Sequence, residues 1–169
     1  MKNFSNKVAV ISGAASGIGL AVAQALASEG MHVVLLDNRT GALQEAAASI
    51  NQQGVRVLAV ELDISDAAAV AAVAQRVIEE FGAVHLLINN AAVFMRGHDV
   101  CEPGDEVWDW LLQVNLYGTL HCLRSFLPHL QAHGEEAHIV NTGSISGFVV
   151  RDRKNGLYAT PKFALVGLS

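Results

Sequence analysis

Val8-Ala9-Val10-Ile11-Ser12-Gly13-Ala14-Ala15-Ser16-Gly17-Ile18-Gly19 joins an apolar run of strand length to an alanine-rich stretch through the spacing G-x-x-x-G-x-G. A nearly continuous apolar run is what a strand covered on both faces requires, and parallel sheets are built of such strands. Glycines between that strand and a helix let the backbone turn sharply and admit a ligand close to it. The free amides and dipole of the helix start then favour an anion such as a pyrophosphate. A tight glycine turn with no ligand is the alternative for the motif taken alone.

Outward from this turn, short β-branched runs alternate with longer amphipathic stretches almost to the end of the chain. Strands are expected at 8–12, 33–36, 55–60, 84–88 and 138–141, and helices at 18–28, 41–53 and 66–81, the last showing Val70, Val73, Val77 and Phe81 at helical spacing. A fourth helix is expected over 104–131, kinked or ended by Pro128, and a further amphipathic helix begins at Tyr158 and runs to Ser169. Gly30, Gly54 and Gly82 fall just past the first three helices, where glycine caps a C-terminus at least cost. Alternating β and α units predict an α/β fold with a doubly wound parallel sheet. No linker or repeat divides the sequence, so 1–169 reads as a single domain.

The 169 residues are 51% hydrophobic and 16% charged, with a net charge of −5. That composition excludes intrinsic disorder, and an acidic chain offers no electrostatic footprint for nucleic acid. No apolar run reaches the roughly 18 to 20 residues of a membrane span. Two cysteines and no export-type leader fit a reducing, cytoplasmic setting.

Asp37 ends the second strand, 18 residues after Gly19, where a carboxylate accepts hydrogen bonds from an adenosine ribose and repels a 2′-phosphate. NAD is therefore expected over NADP. Arg39 reads as a solvated helix-start residue, with pairing to a 2′-phosphate as the alternative.

The order of motifs resembles the short-chain dehydrogenase/reductase family over essentially all 169 residues. The glycine turn is similar to T-G-x-x-x-G-x-G with Ser12 in the threonine place. Asp63 follows the third strand as the family's adenine-side acid does. Asn89-Asn90-Ala91-Ala92 resembles N-N-A-G with Ala92 for glycine, and Tyr158-Ala159-Thr160-Pro161-Lys162 reproduces Y-x-x-x-K. The resemblance implies a Rossmann-like sheet in the order 3-2-1-4-5. It also implies a cofactor site of Gly13, Ser16, Gly17, Ile18, Gly19, Asp37, Asp63, Ile64, Asn90, Ala91, Ala92, Tyr158 and Lys162. Catalysis would fall to Asn115, Ser144, Tyr158 and Lys162, with no metal, and Ser146 is the rival of Ser144.

In the mechanism the resemblance implies, Tyr158 exchanges the alcohol proton while hydride passes between the substrate carbon and a nicotinamide. Lys162 lowers the tyrosine pKa and holds the ribose, Ser144 hydrogen-bonds the carbonyl oxygen, and Asn115 supports a water-linked proton relay. Residues four apart share a helix face, which brings an ammonium toward a phenol. The shift is needed because a phenol has a reference pKa near 10, and lowering it by about 3 requires about 4 kcal/mol.

Pro161 departs from the family pattern but is expected to be tolerated in the first turn of a helix starting near Gly156 or Leu157. The charged loop 149–156 reads as solvated surface, with a pocket wall as the alternative. His129 and His133 have the spacing of a helical metal pair yet lack a third ligand, and read as surface histidines. Met95, Arg96, His98 and Cys101 fall where ligands bind in open α/β sheets, without a diagnostic pattern.

Family members usually run longer, so the chain is expected to be incomplete at its carboxyl end, lacking C-terminal strands and a substrate lid. The leading expectation is an NAD-dependent oxidoreductase acting on a small secondary alcohol or ketone, working as a homo-oligomeric dimer or tetramer. The competitors are a catalytically silent dinucleotide-binding or interaction module and an NADP-dependent ketoreductase.

Overall fold

Side chains alternate across a strand, and in the first strand, β1 (Val8–Ser12), both faces are apolar and buried. The computed structural model describes residues 1–51 and 54–169; the last two residues of the helix expected over 41–53 lie outside the described residues. Strands β2 (His32–Asp37), β3 (Val57–Glu61), β4 (Leu86–Asn89) and β5 (His138–Asn141) join β1 in one parallel sheet of order β3-β2-β1-β4-β5. The expected order and fold class are therefore present. β3 starts two residues late, β4 is shifted by one or two, and β2 gains a residue at each end, so that Asp37 itself is paired with Glu61.

Val8 and Val10 of β1 enter a core with Val34, Val70, Val77, Leu87 and Phe126. Ala9 and Ile11 enter a second core on the opposite face with Ala23, Ala27, Leu43 and Ile50. The first core is closed by helices α3 (Ala67–Phe81) and α5 (Thr119–Ala132), the second by α1 (Gly17–Ser28) and α2 (Thr40–Asn51). Asp66 caps α3 by accepting from the amides of Ala68 and Ala69. Gly30 and Gly82, expected just past α1 and α3, take φ of +86° and +83°.

The fourth helix differs from the single rod expected over 104–131. An α-helical turn set α4 (Asp105–Leu112) passes into a π-helical segment at Gln113–Gly118 and then into α5. Pro128 lies inside α5 without ending it. The last helix, α6 (Gly156–Leu168), begins where expected from Pro161, but the proline falls in its second turn rather than its first. α6 packs on the π-helical segment and on a 3₁₀ turn at Ile145–Gly147.

Both cysteines are free thiols, Cys101 exposed and Cys122 buried. Burial pushes the Cys122 thiol up to about 12, which makes it an inert core residue. No helix among the described residues is long and apolar enough to cross a membrane, and none of their His, Cys, Asp and Glu side chains form a group of three or more suited to a metal ion.

Candidate active site

Strand order reverses between β1 and β4, and in open α/β sheets the crevice at the carboxyl ends of such strands receives ligands. A cleft of about 460 Å³ opens there, lined by Gly13, Ser16, Asp37, Asp63, Ile64, Asn90, Ala91 and Ala92 from the expected set. Leu36, Asn38, Arg39, Leu62, Val93, Trp110 and Val114 complete it. Gly17, Ile18 and Gly19 stand beside Ser16 at the start of α1 rather than in the cleft lining.

The turn is braced from two sides. Asn90 donates through Nδ2 to the carbonyls of Ser12 and Gly13 at 3.1 and 3.2 Å, while Ser12 Oγ accepts from the amides of Asn90 and Ala91. Ala14 and Ala15 donate to the Leu36 carbonyl and to Asp37 Oδ2. A Cβ on Gly19 would lie 2.7 Å from Asn90 Nδ2, so only glycine fits beneath the brace. Gly17 is different: its φ is +55°, and a Cβ there would meet nothing within 4 Å. The helix start above it has no side-chain cap and no acidic residue in its first turn. Unsatisfied amides facing open space suit a bound anion.

Ser16 leaves the helix uncapped because its hydroxyl accepts from Arg39 Nη2 at 2.9 Å. Arg39 is exposed just ahead of α2, as expected from sequence, but it is also paired. Its Nε donates to Asp37 Oδ1 at 3.0 Å and its Nη2 to Oδ2 at 3.1 Å, a fork-on-carboxylate pair. Burial pushes the Asp37 carboxyl up, but the Arg39 guanidinium and the amides of Ala15 and Arg39 outweigh it and hold the group below its ordinary 3.8. The pairing arises because Asp37 is buried at the strand end, where a carboxylate needs a partner.

Asn115 is buried, not turned to solvent. Its Oδ1 accepts from the Val93 amide at 2.7 Å and its Nδ2 donates to the Val93 carbonyl at 2.9 Å. Val93 lines the cleft, and the next residue, Phe94, lines a second cavity of about 330 Å³. Asn115 therefore fixes the wall between the two.

That second cavity holds Ser144, Ser146 and Tyr158. Ser144 Oγ accepts from the Ser146 amide at 3.1 Å, capping the 3₁₀ turn. The Ser146 hydroxyl accepts from Asn155 Nδ2. Phe94 meets the Tyr158 ring edge-on, with centroids 4.7 Å apart. Lys162 is 3% exposed; its Nζ donates to the Thr142 carbonyl at 2.7 Å and lies 5.7 Å from the Tyr158 ring centre. Burial holds its ammonium below the ordinary 10.5.

Several participants were not singled out in the sequence: Val93, Phe94, Thr142 and Trp110 line or brace the two cavities, and no residue-type signal marks them. The 149–156 loop is exposed as expected, yet Val149, Arg151, Asp152 and Asn155 also wall the second cavity. Arg96 joins that wall, while His98 and Cys101 do not. His129 and His133 are half-buried rather than surface residues. His133 Nε2 bonds the Val84 carbonyl, and its ring lies 4.8 Å from that of His85, tilted by 43°.

Residues 7–169 match the sequence model of the family described as short chain dehydrogenase, and the chain belongs to that family of oxidoreductases. A short chain dehydrogenase/reductase from Burkholderia phymatum, solved in complex with NAD, has a TM-score of 0.94 and 42% identity, covering 99% of this chain and 59% of that one. L-sorbose reductase from Gluconobacter frateurii, solved with NADPH and L-sorbose, gives 0.91 and 36%, covering 99% and 62%. Meso-2,3-butanediol dehydrogenase of Serratia marcescens is 37% identical over 166 residues, 98% of this chain and 64% of that protein. The chain thus spans less than two thirds of the length of these relatives.

Proposed function

We propose that the protein is an NAD-dependent oxidoreductase that moves hydride between the cofactor and a secondary alcohol or ketone, with Ser144, Tyr158, Lys162 and Asn115 as its working groups. The observation that carries this assignment is the Lys162 ammonium. It is buried beside the Tyr158 ring on one carbonyl and, among the described residues, has no carboxylate partner. A buried unpaired cation is costly, and such costs persist where the charge is used.

The chain's residues fit the dinucleotide through the uncapped start of α1, the open space over Gly17, and Asp37 at the end of β2. When bound, the nicotinamide takes up or releases the hydride. In the oxidative direction the alcohol C–H bond breaks with its electron pair, the O–H proton passes to Tyr158 Oη, and a C=O bond forms. Lys162 favours the ionised phenol by its charge and holds the ribose hydroxyls. Ser144 donates to the substrate oxygen. Asn115 has both side-chain atoms taken by Val93, so a water relay toward Lys162 passes along its main chain.

NAD is favoured because Asp37 stays ionised in the cleft and repels a 2′-phosphate. A specific observation favours NADP as the second candidate: Arg39 is 54% exposed at its side chain and reaches Ser16 across the same cleft, so it can swing from Asp37 to a phosphate. Comparing NADH and NADPH binding by fluorescence decides between them, with NADH tighter expected. Single-turnover hydride transfer tests the chemistry and separates an enzyme from a silent dinucleotide-binding module. Tyr158→Phe should slow it about 10²–10⁴-fold with NADH affinity retained; unchanged turnover removes Tyr158 from the mechanism.

A further inference from the structure

The second cavity is walled largely by hydrocarbon, yet carries two guanidinium groups against a single carboxylate. Phe94, Ile145 and Val149 supply the apolar wall, and all three are exposed apolar side chains at 59%, 65% and 40%. Arg96 reaches Asp152 only at 3.9 Å, with both groups about half exposed or more, a pair that contributes little. Arg151 has no hydrogen-bonding or ion-pairing partner among the described residues. Nearby, Arg153 faces Asp99 at 3.5 Å and His98 faces Glu102 at 3.3 Å, while the Lys154 ammonium has no side-chain partner among the described residues and lies outside the cavity lining. Segments 96–102 and 151–154 together carry four Lys and Arg side chains against three carboxylates, on a chain whose net charge is −5.

A neutral substrate filling this hollow takes water from Arg151 and gives nothing back, whereas an anion replaces the water with a charge-assisted, two-pronged bond. The volume of about 330 Å³ lies at the lower end for ligand pockets, which suits a small molecule.

We infer that the substrate is a small hydroxy or oxo acid, its carboxylate held by Arg151 and Arg96 and its hydrocarbon body against Phe94, Ile145 and Val149. The inference rests on Ser144 and Tyr158 being the reacting groups of this cavity. They would receive the hydroxyl or carbonyl oxygen while the acid end points to the charged loop.

The test is calorimetric titration of the full chain, saturated with NADH, with 3-hydroxyhexanoate and with its methyl ester. The acid is expected to bind about tenfold more tightly than the ester, the scale of a charge-assisted bond at a half-exposed site. In 0.5 M salt the preference should shrink, since exposed charges are then screened within a few ångströms. The double change Arg96→Gln with Arg151→Gln should bring the acid-to-ester ratio close to one, and Asp152→Asn, which frees Arg96, should raise it. Using the ratio within each variant cancels any general loss of folded protein.

Equal binding of acid and ester by the wild type, binding of neither, or a preference that survives the double change overturns the inference. Failure of the oxidoreductase assignment looks different. The chain would then bind no NADH, or transfer no hydride from acid or ester, whatever the acid-to-ester ratio measured in the cofactor's absence.

Discussion

β1 and β5 are both short strands of the same sheet, yet β1 buries all five of its residues while β5 alternates between exposed and half-buried positions. The difference is topological. β1 pairs on both sides, with β2 and β4, and is covered on both faces, whereas among the described residues β5 pairs with β4 alone. The proposed cofactor half of the site is therefore hung on a fully enclosed strand and braced by loop-to-loop hydrogen bonds through Ser12 and Asn90. The proposed substrate half stands on an edge and on segments that leave Ile145 and Phe148 65% and 70% exposed. The first region is enclosed and braced and the second is exposed, a division that suits the proposed pairing of a constant cofactor with a variable substrate.

The contrast is broken most severely in the core. Phe126 in α5 is fully buried among Val70, Val77 and Leu87, so Phe126→Ala should destabilise by about 3–5 kcal/mol. NADH affinity of the molecules that remain folded should hardly change, because Phe126 lies outside the cleft lining. Urea unfolding alongside NADH titration checks both halves of the claim, and a loss of affinity per folded molecule would contradict it.

Asn90→Ala sharpens the same contrast from the other side. It withdraws two donated bonds from the glycine turn and leaves half-buried carbonyls short of a partner. About 2 kcal/mol of stability should go, together with a larger proportional loss of NADH binding than Phe126→Ala produces. If the two variants lose binding equally, the brace is not what shapes the turn.

Lys162→Met should separate stability from chemistry. The ammonium is buried, and burial lowers its pKa below the 10.5 it has when unfolded. Between the folded and unfolded values the unfolded chain holds the extra proton, so wild-type stability rises with pH through that window. Below it the charge is a standing cost. Replacing it by methionine should therefore stabilise the chain by about 1 kcal/mol near pH 7, a rise in Tm of about 3 °C for this size, while abolishing hydride transfer. The gain should shrink as pH rises toward 10.5. A variant that is less stable at pH 7 would show that the bond to Thr142 outweighs the cost of the charge.

The parts of the fold and site legible in the sequence are those encoded over a few neighbouring residues. The glycine turn after β1, Asp37 at the end of β2 and the i, i+4 pair Tyr158 and Lys162 each depend on local periodicity and turn chemistry. The pairing of the exposed Arg39 with Asp37 was not legible, because the carboxylate two residues away needs a partner only once the strand is buried. The π-helical segment around Asn115 has no residue-type signature; it lies where the helix is tied to Val93 through Asn115 and packs on α6. The second cavity is assembled from Phe94 on the connection between β4 and α4 and from Ser144 and Arg151 on the connection between β5 and α6. Their meeting is a property of the sheet, not of any stretch of letters.

The smallest expected effect lies at the edge. Val140, 47% exposed, lies on β5, the edge strand, which among the described residues pairs on one side only. An exposed apolar edge is a template for pairing with another chain, and a lysine there disfavours such pairing. Val140→Lys should thus change folding stability by less than about 0.5 kcal/mol, as surface substitutions do, while reducing turbidity on heating. Lysine at the fully buried Val10 would unfold the protein. A loss at Val140 comparable to a core substitution would show that β5 is covered in solution. It would then be an interface rather than a free edge, and the contrast with β1 would lapse.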